Sequence, residues 1–375
     1  MNKIKFNQPI YLIFLLFYIS LIFGFIVGED ALGGAEHDYV KIFKRIKIIS
    51  EDPFYYFINY DELKLRHSPI FQFYRSFFYI LLNNDIFFQV FNLHLNMLII
   101  FIFYNTLKLR FGSFNKQYLF AISCLILILP SFRSNTIWPD SFICGFIFFI
   151  LAIYFLMKLI KKKDLSEKFD YAKKNVIFLC IASYISPNFA PFSIFFLFIF
   201  YDYFGLSKKL IKLILLNFIC SIPLLLYVFV LDVNFLDLDG SRWVKDQTFF
   251  SLKNLSNKLI LLPTIFFIFL FPIIILEIKT VDQKLIKFCK SNLILKIFII
   301  ISPLLVYKHF SYLKISEALS GGGIIFNILK YFNNNILILA LFSSITIFFI
   351  ILFVVENKNN LVFLICLVLT NPQLT

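Results

Sequence analysis

The chain has 375 residues, of which 60% are apolar and 54 are Phe, and its mean hydropathy is +0.84. That composition excludes an ordinary soluble domain. The formal net charge of +14 would suit nucleic acid, but lysine-rich loops are what the cytoplasmic side of a multi-pass protein requires, so a nucleic-acid partner is excluded.

Lys3 and Lys5 precede an apolar run over 9–27. The run is longer than the ~7–15 residues of a signal-peptide core and carries no cleavage signature, so it reads as a retained first span. Its positive flank puts the N-terminus in the cytoplasm and the following loop outside. That loop, Gly28-Glu29-Asp30-Ala31-Leu32-Gly33-Gly34-Ala35-Glu36-His37-Asp38, concentrates four carboxylates and a histidine at a membrane edge. Acids at the edge escape the desolvation cost of the bilayer centre and remain usable for chemistry. A helix continuing from the first span through Glu29 and Asp30 would end at Gly33-Gly34. His37, Glu36 and Asp38 are neighbours that do not converge on one helix face, so no metal is expected.

Helical periodicity in Tyr39, Ile42, Phe43, Ile46 and Ile49, broken at Pro53, predicts one or two helices lying in the interface. The stretch 69–82 is apolar but short and carries Gln72 and Arg75, which predicts a half-buried helix rather than a crossing. A second span over 86–107 places Gln89, Asn92 and Asn96 in one polar stripe with Asp85, facing the bundle interior. His94 lies off the stripe and is expected to be satisfied by a neighbouring helix.

A third span, 117–131, leads to an outer turn holding Arg133, Trp138 and Asp140. Arg133 either anchors a span at headgroup level or holds a phosphate. Asp140 either binds substrate or caps the fourth span, 141–157. Trp138 and Trp243 belong to the interfacial aromatic belt. The basic stretch 158–174, with Lys161-Lys162-Lys163, reads as an inner loop. Later apolar runs bring the total to about eleven spans, in a single membrane domain over 1–375. Outer loops over 232–257 and 308–332 carry Arg242, Lys308 and the hinge-like Gly321-Gly322-Gly323. The chain stops in or just after its last span, as expected of a C-terminally truncated member of a family. Six cysteines, almost all in apolar runs and without CxxC spacing, read as small core residues.

The order of these features, first span, acidic outer loop, interfacial helices, His67-Ser68-Pro69, polar-striped span and an outer turn with Arg133 and Asp140, resembles the GT-C superfamily of membrane glycosyltransferases. The branch most similar is that of protein O-mannosyltransferases and lipid A aminoarabinose transferases, whose His-Pro-Pro is His67-Ser68-Pro69 here. The likeness covers the first 160 or so residues; beyond them only the alternation of spans and loops is similar. It implies transfer of a sugar from a polyprenyl-phosphate donor to a glycan, lipid or protein acceptor at the outer face of a cell membrane, with no cofactor. The resemblance implies an acidic general base in the first loop; Asp30, just above Val27 at the end of the first apolar run, stands ahead of Glu29 by position. It also implies that His67 borders the lipid-phosphate site.

A polyprenyl-phosphate leaving group needs cations to hold it and a carboxylate to take the acceptor's proton. Arg133, Arg242, Lys308 and His67 are the candidate cations, and Asp38 and Asp140 would orient loop or acceptor. The competing reading is a transporter or flippase of lipid-linked glycans, and a third is a polysaccharide acyltransferase or polymerase. Charges at the span ends and the lack of an internal repeat weigh against transport.

Overall fold

The computed structural model describes residues 8–31, 34–59, 69–229, 252–276, 278–310 and 329–353. His67, Arg242, Trp243, the triple glycine and the expected last span at 361–371 lie outside them. Every regular element among the described residues is helical. The chain divides into two compact units, Met1–Asp237 and Leu238–Thr375.

In the first unit the helices are α1 (Gln8–Ile26), α2 (Ala35–Glu51), α3 (Pro53–Ile58), α4 (Pro69–Leu82), α5 (Asp85–Arg110), α6 (Lys116–Cys124), α7 (Pro130–Ile137), α8 (Ser141–Lys161), α9 (Leu165–Ile185), α10 (Phe192–Phe204) and α11 (Lys208–Phe229). Among the described residues of the whole chain, three helices are long and apolar enough to cross a membrane. They are α5, α8 and, in the second unit, Ile336–Phe353; two bent helix pairs raise the number to as many as five. One bent pair is the predicted third span. It breaks by 65° where a 3-10 turn, Leu125–Ile128, runs into Pro130, so the expected outer turn is helix α7 instead. Proline at the first helical position lacks only an N–H that would be orphaned anyway, which makes it a good place to restart a helix in a new direction.

The apolar face of α2 that its periodicity predicts packs against the protein. Tyr39, Ile42, Ile46 and Ile49 are all buried, and Ile42 and Ile46 join Leu21, Phe71, Phe88 and Ile143 in the core of this unit. Lys47 Nζ bridges to Asp85 at 2.9 Å, and the Tyr79 hydroxyl donates to the same carboxylate at 2.8 Å, latching α2 and α4 onto the start of α5. The polar stripe of α5 does face inward: Asn92 and Asn96 are buried. His94 is satisfied as expected. Its Nδ1–H donates to the Val90 carbonyl, which leaves Nε2 to accept from the Tyr18 hydroxyl at 2.7 Å.

The expected basic loop shrinks to the junction between α8 and α9. Asp164 caps α9 by accepting from Glu167 N, and Lys162 pairs with Glu167 at 2.8 Å. α8 and α9 pack closely because Gly145 faces the end of α9 and the turn after it, where Phe189 stacks on Phe149 at 4.7 Å; midway along the pair Asn175 donates to Ala152 O at 2.7 Å.

The second unit contains α12 (Leu252–Leu276), α13 (Val281–Lys290), α14 (Leu293–Val306) and α15 (Ile336–Phe353). Ile260, Leu261, Phe310, Leu329 and Leu339 form its small core, and Ser343 Oγ donates to Leu259 O across α12 and α15 at 3.1 Å. α13, which the sequence reading passed over as a connection, is an amphipathic helix set at 109° to the helix that follows.

A Cβ at Gly145 would stand 2.9 Å from the Phe189 ring and 3.1 Å from the Ala182 carbonyl. Overpacking of this kind costs about 1–3 kcal/mol. Gly145→Ala should therefore lower the thermal midpoint of the purified protein by several degrees, and an unchanged midpoint would show that α8 and α9 have slack.

Candidate functional site

The acidic loop begins with a helix C-terminus. α1 stops at Ile26, and Gly28, at φ +67°, takes the left-handed position. Gly28 N donates to Phe25 O at 3.2 Å and Glu29 N to Gly24 O at 2.8 Å, the paired bonds of a Schellman cap. Gly28 therefore ends this helix, seven residues' worth of loop before the second helix begins, and the expected continuation to Gly33-Gly34 does not occur. The cap folds Glu29 back over Gly24.

There the Glu29 carboxylate meets Arg133 of α7. Arg133 Nε donates to Oε1 at 2.7 Å and Nη2 donates to Oε2, a side-on bidentate pair. Nη2 also donates to Ser20 O at 3.0 Å, and Nη1 donates to Ser20 Oγ at 3.2 Å and Leu127 O at 3.4 Å. A guanidinium has five N–H donors, and here all five are engaged. Arg133 is thus built into the junction of α1, α7 and the acidic loop, with no donor left for the phosphate that the sequence reading gave it. Trp138 is likewise more than a belt residue: its Nε1–H donates to the Glu29 carbonyl at 3.1 Å, and its ring lies 5.7 Å from that of Tyr39.

Of the two candidate bases, Glu29 is held by a cation. Asp30 is half-buried, and its Oδ2 accepts from Glu36 N at 3.2 Å, capping the start of α2 from across the loop. Asp38 is exposed on the first turn of α2. It lies close enough to Asp140 to raise that group's proton affinity. Asp140 caps α8 through Ile143 N at 3.0 Å, as one of its two sequence readings had it. Burial pushes its carboxyl up to about 6, against the pull of the backbone N–H groups of Ile143 and Phe142 and the charge of Arg75.

The structure thus gathers Glu29, Asp30, Asp38, Arg133 and Asp140 at one end of the first unit. Lys308 belongs to the second unit, exposed in the 3-10 turn Tyr307–His309. Among the described residues no three His, Cys, Asp or Glu side chains come together as a metal site. No family model, curated protein or solved structure matches the chain.

The residue that sequence reasoning underrated is Arg75. It is 0% exposed in α4, with its guanidinium 4.8 Å from the Phe88 ring and 5.7 Å from Phe71. Its Nη1 donates to Pro139 O at 3.5 Å and meets Cys144 Sγ at 3.3 Å. The signal was present: an arginine three residues after a glutamine in an apolar helix is a functional candidate by default.

Glu29 and Arg133 are 28% and 11% exposed, between the surface pairs worth ~0–1 kcal/mol and the buried pairs whose breaking costs ~3–5 kcal/mol. Glu29→Gln and Arg133→Met should each destabilise by about 1–3 kcal/mol, and the double variant by less than their sum. Simple additivity in thermal or denaturant unfolding would mean that the pair contributes nothing.

Asp140 binds its proton more tightly folded than unfolded, so its contribution to stability is full below pH ~4 and is lost as pH rises through about 6. Asn also caps helices well. Asp140→Asn should therefore keep the helix start, remove this falling component between pH 4 and 6, and leave the variant at least as stable as the parent at pH 7. A parent and variant with parallel pH profiles would refute this.

Proposed function

We propose that the chain is a membrane glycosyltransferase that moves a sugar from a polyprenyl-phosphate donor to a hydroxyl acceptor, at the end of the bundle where Glu29 meets Arg133 and Asp38 comes near Asp140. The observation that carries the reading is that meeting. Acids of the first loop and the Arg133 to Asp140 segment, about a hundred residues apart in sequence, form one site, in the layout that GT-C enzymes use. The proposal includes the finer topology: about eleven spans in a cell membrane, a cytoplasmic N-terminus and an outward-facing first loop.

In this mechanism Asp30 takes the proton from the acceptor hydroxyl as its oxygen bonds to the anomeric carbon. The bond from that carbon to the phosphate oxygen breaks, and polyprenyl phosphate leaves with the electron pair. Glu29, already paired with Arg133, keeps the loop in place so that Asp30 sits at the headgroup level where the phosphate of an embedded donor lies. Asp38 and Asp140 orient the acceptor. His67 remains a proposed contact to the leaving phosphate, and Arg133 becomes a positioning residue. The acceptor is a glycan, a lipid or a protein, and no cofactor enters the scheme.

One observation favours the alternative of a transporter or flippase. Arg75, Gln72 and Asn96 are buried with side-chain atoms that find no partner among the described residues, as polar groups along a translocation path would. A transfer assay in membranes with labelled polyprenyl-phosphate sugars separates the two. Removing a general base costs ~10²–10⁴ in rate, so Asp30→Asn should abolish most transfer while protein abundance stays near that of the parent. Transfer undiminished in both Asp30→Asn and Glu29→Gln would end this reading, and sugar movement across the membrane without transfer would establish the alternative.

A further inference from the structure

Two arginines flank this end of the first unit, and they are in opposite states. Arg133 presents the edge formed by Nε and Nη2 to a carboxylate, and every donor it has is used. Arg75 presents the same edge, Nε and Nη2, to no partner among the described residues. Its other end is held by the long contacts of Nη1 to Pro139 O and Cys144 Sγ. Asp140, on which the charge of Arg75 acts, is committed to the start of α8 through Ile143 N.

The guanidinium is fully enclosed, and arginine does not escape burial by losing its proton. Donors left unsatisfied on a buried charge are costly and are not kept for stability. Beside it on the same face of α4, three residues earlier, Gln72 is also 0% exposed, and its amide nitrogen and oxygen are both unpartnered among the described residues. The pair therefore offers a bidentate fork plus one further donor and one acceptor, walled by Phe71 and Phe88.

We infer that Arg75 and Gln72 form a buried binding site for a phosphate oxyanion. The Nε and Nη2 edge takes two of its oxygens as Arg133 takes the two oxygens of Glu29, and the Gln72 amide donates to a third. The apolar walls suit a phosphate that arrives on a lipid. On the glycosyltransferase reading, on which this assignment of the ligand rests, the donor phosphate is held by α4 and not by Arg133. The oxyanion site itself stands on the geometry alone.

Binding tests it on the purified full chain, with a short-chain isoprenyl phosphate as probe, the isoprenol of equal length as the uncharged control and inorganic phosphate as competitor. Charge-assisted hydrogen bonds worth ~1.5–3 kcal/mol correspond to roughly 10- to 100-fold in affinity. The parent should bind isoprenyl phosphate at least ~10-fold more tightly than isoprenol. Arg75→Met should erase that preference, Arg75→Lys should restore part of it, and Gln72→Leu should weaken phosphate binding while sparing isoprenol.

Without probe, Arg75→Met should melt no lower than the parent, because it removes two unsatisfied buried donors, whereas a structural arginine would leave a less stable protein. Phosphate preference unchanged in folded Arg75→Met, or in Gln72→Leu should the arginine variant not fold, overturns the site. Inorganic phosphate that binds with the same Arg75 dependence, while isoprenyl phosphate gains nothing from its tail, keeps the site and makes free phosphate its ligand. Arg75-dependent binding with no sugar transfer leaves this site standing and removes the glycosyltransferase reading. Transfer that persists with Arg75-independent binding does the reverse.

Discussion

The first unit depends on one saturated arginine. A partly buried charge is cheapest to keep when its donors are all satisfied, and Arg133 meets that condition by drawing three segments together: the Ser20 turn of α1, the Glu29 carboxylate and the Leu127 carbonyl. Each acceptor is available for a local reason. The break before Pro130 interrupts helical bonding next to Leu127, the Schellman cap turns Glu29 back toward the bundle, and Gly24 has no Cβ to obstruct the approach. A methyl group there would overlap the Glu29 carboxylate and stand 2.7 Å from Arg133 Nη2.

The positions of the other acids follow from this anchor. With Glu29 fixed and its carbonyl held by Trp138, Asp30 is directed toward the first turn of α2, where it caps Glu36 N. α2 in turn lays Tyr39 beside Trp138 and brings Asp38 near Asp140. At its far end the Lys47 to Asp85 bridge seats the helix on α5. The acidic loop is therefore a strap with both ends tied, and its carboxylates have different surroundings: ion-paired at 29, helix-capping at 30, exposed at 38 and desolvated at 140. Groups of one chemical type whose environments differ this much can divide acid, base and orienting roles among themselves.

Much of this was legible locally. The short apolar run with Gln72 and Arg75 is α4 over the predicted residues, the inward stripe of α5 holds at Asn92 and Asn96, His94 finds a neighbouring helix, and Asp140 caps α8. These features depend on spacing and cap chemistry, which a sequence displays directly. Pairing does not: nothing in the composition of the loop says that Glu29, rather than Asp30, meets an arginine 104 residues away. Two adjacent glycines looked like a stronger stop than Gly28, yet the position that needs a left-handed backbone sits two residues after the last helical residue, and Gly28 occupies it. The third apolar run was read as straight because a bend of 65° at Pro130 has no period of its own. The buried face of α2 went to the protein rather than to lipid for the same reason, since periodicity shows that a face is apolar but not what covers it.

The separation of 104 residues between Glu29 and Arg133 also bears on how the protein is made. Chains leave the ribosome at about 5–20 residues per second, so the first loop exists for roughly 5–20 seconds before its counter-charge has been synthesised. During that interval α1 is capped by purely local bonds. Closure of the site then waits on α7. A ribosome paused between α5 and α7 would hold a chain whose acidic loop is still open.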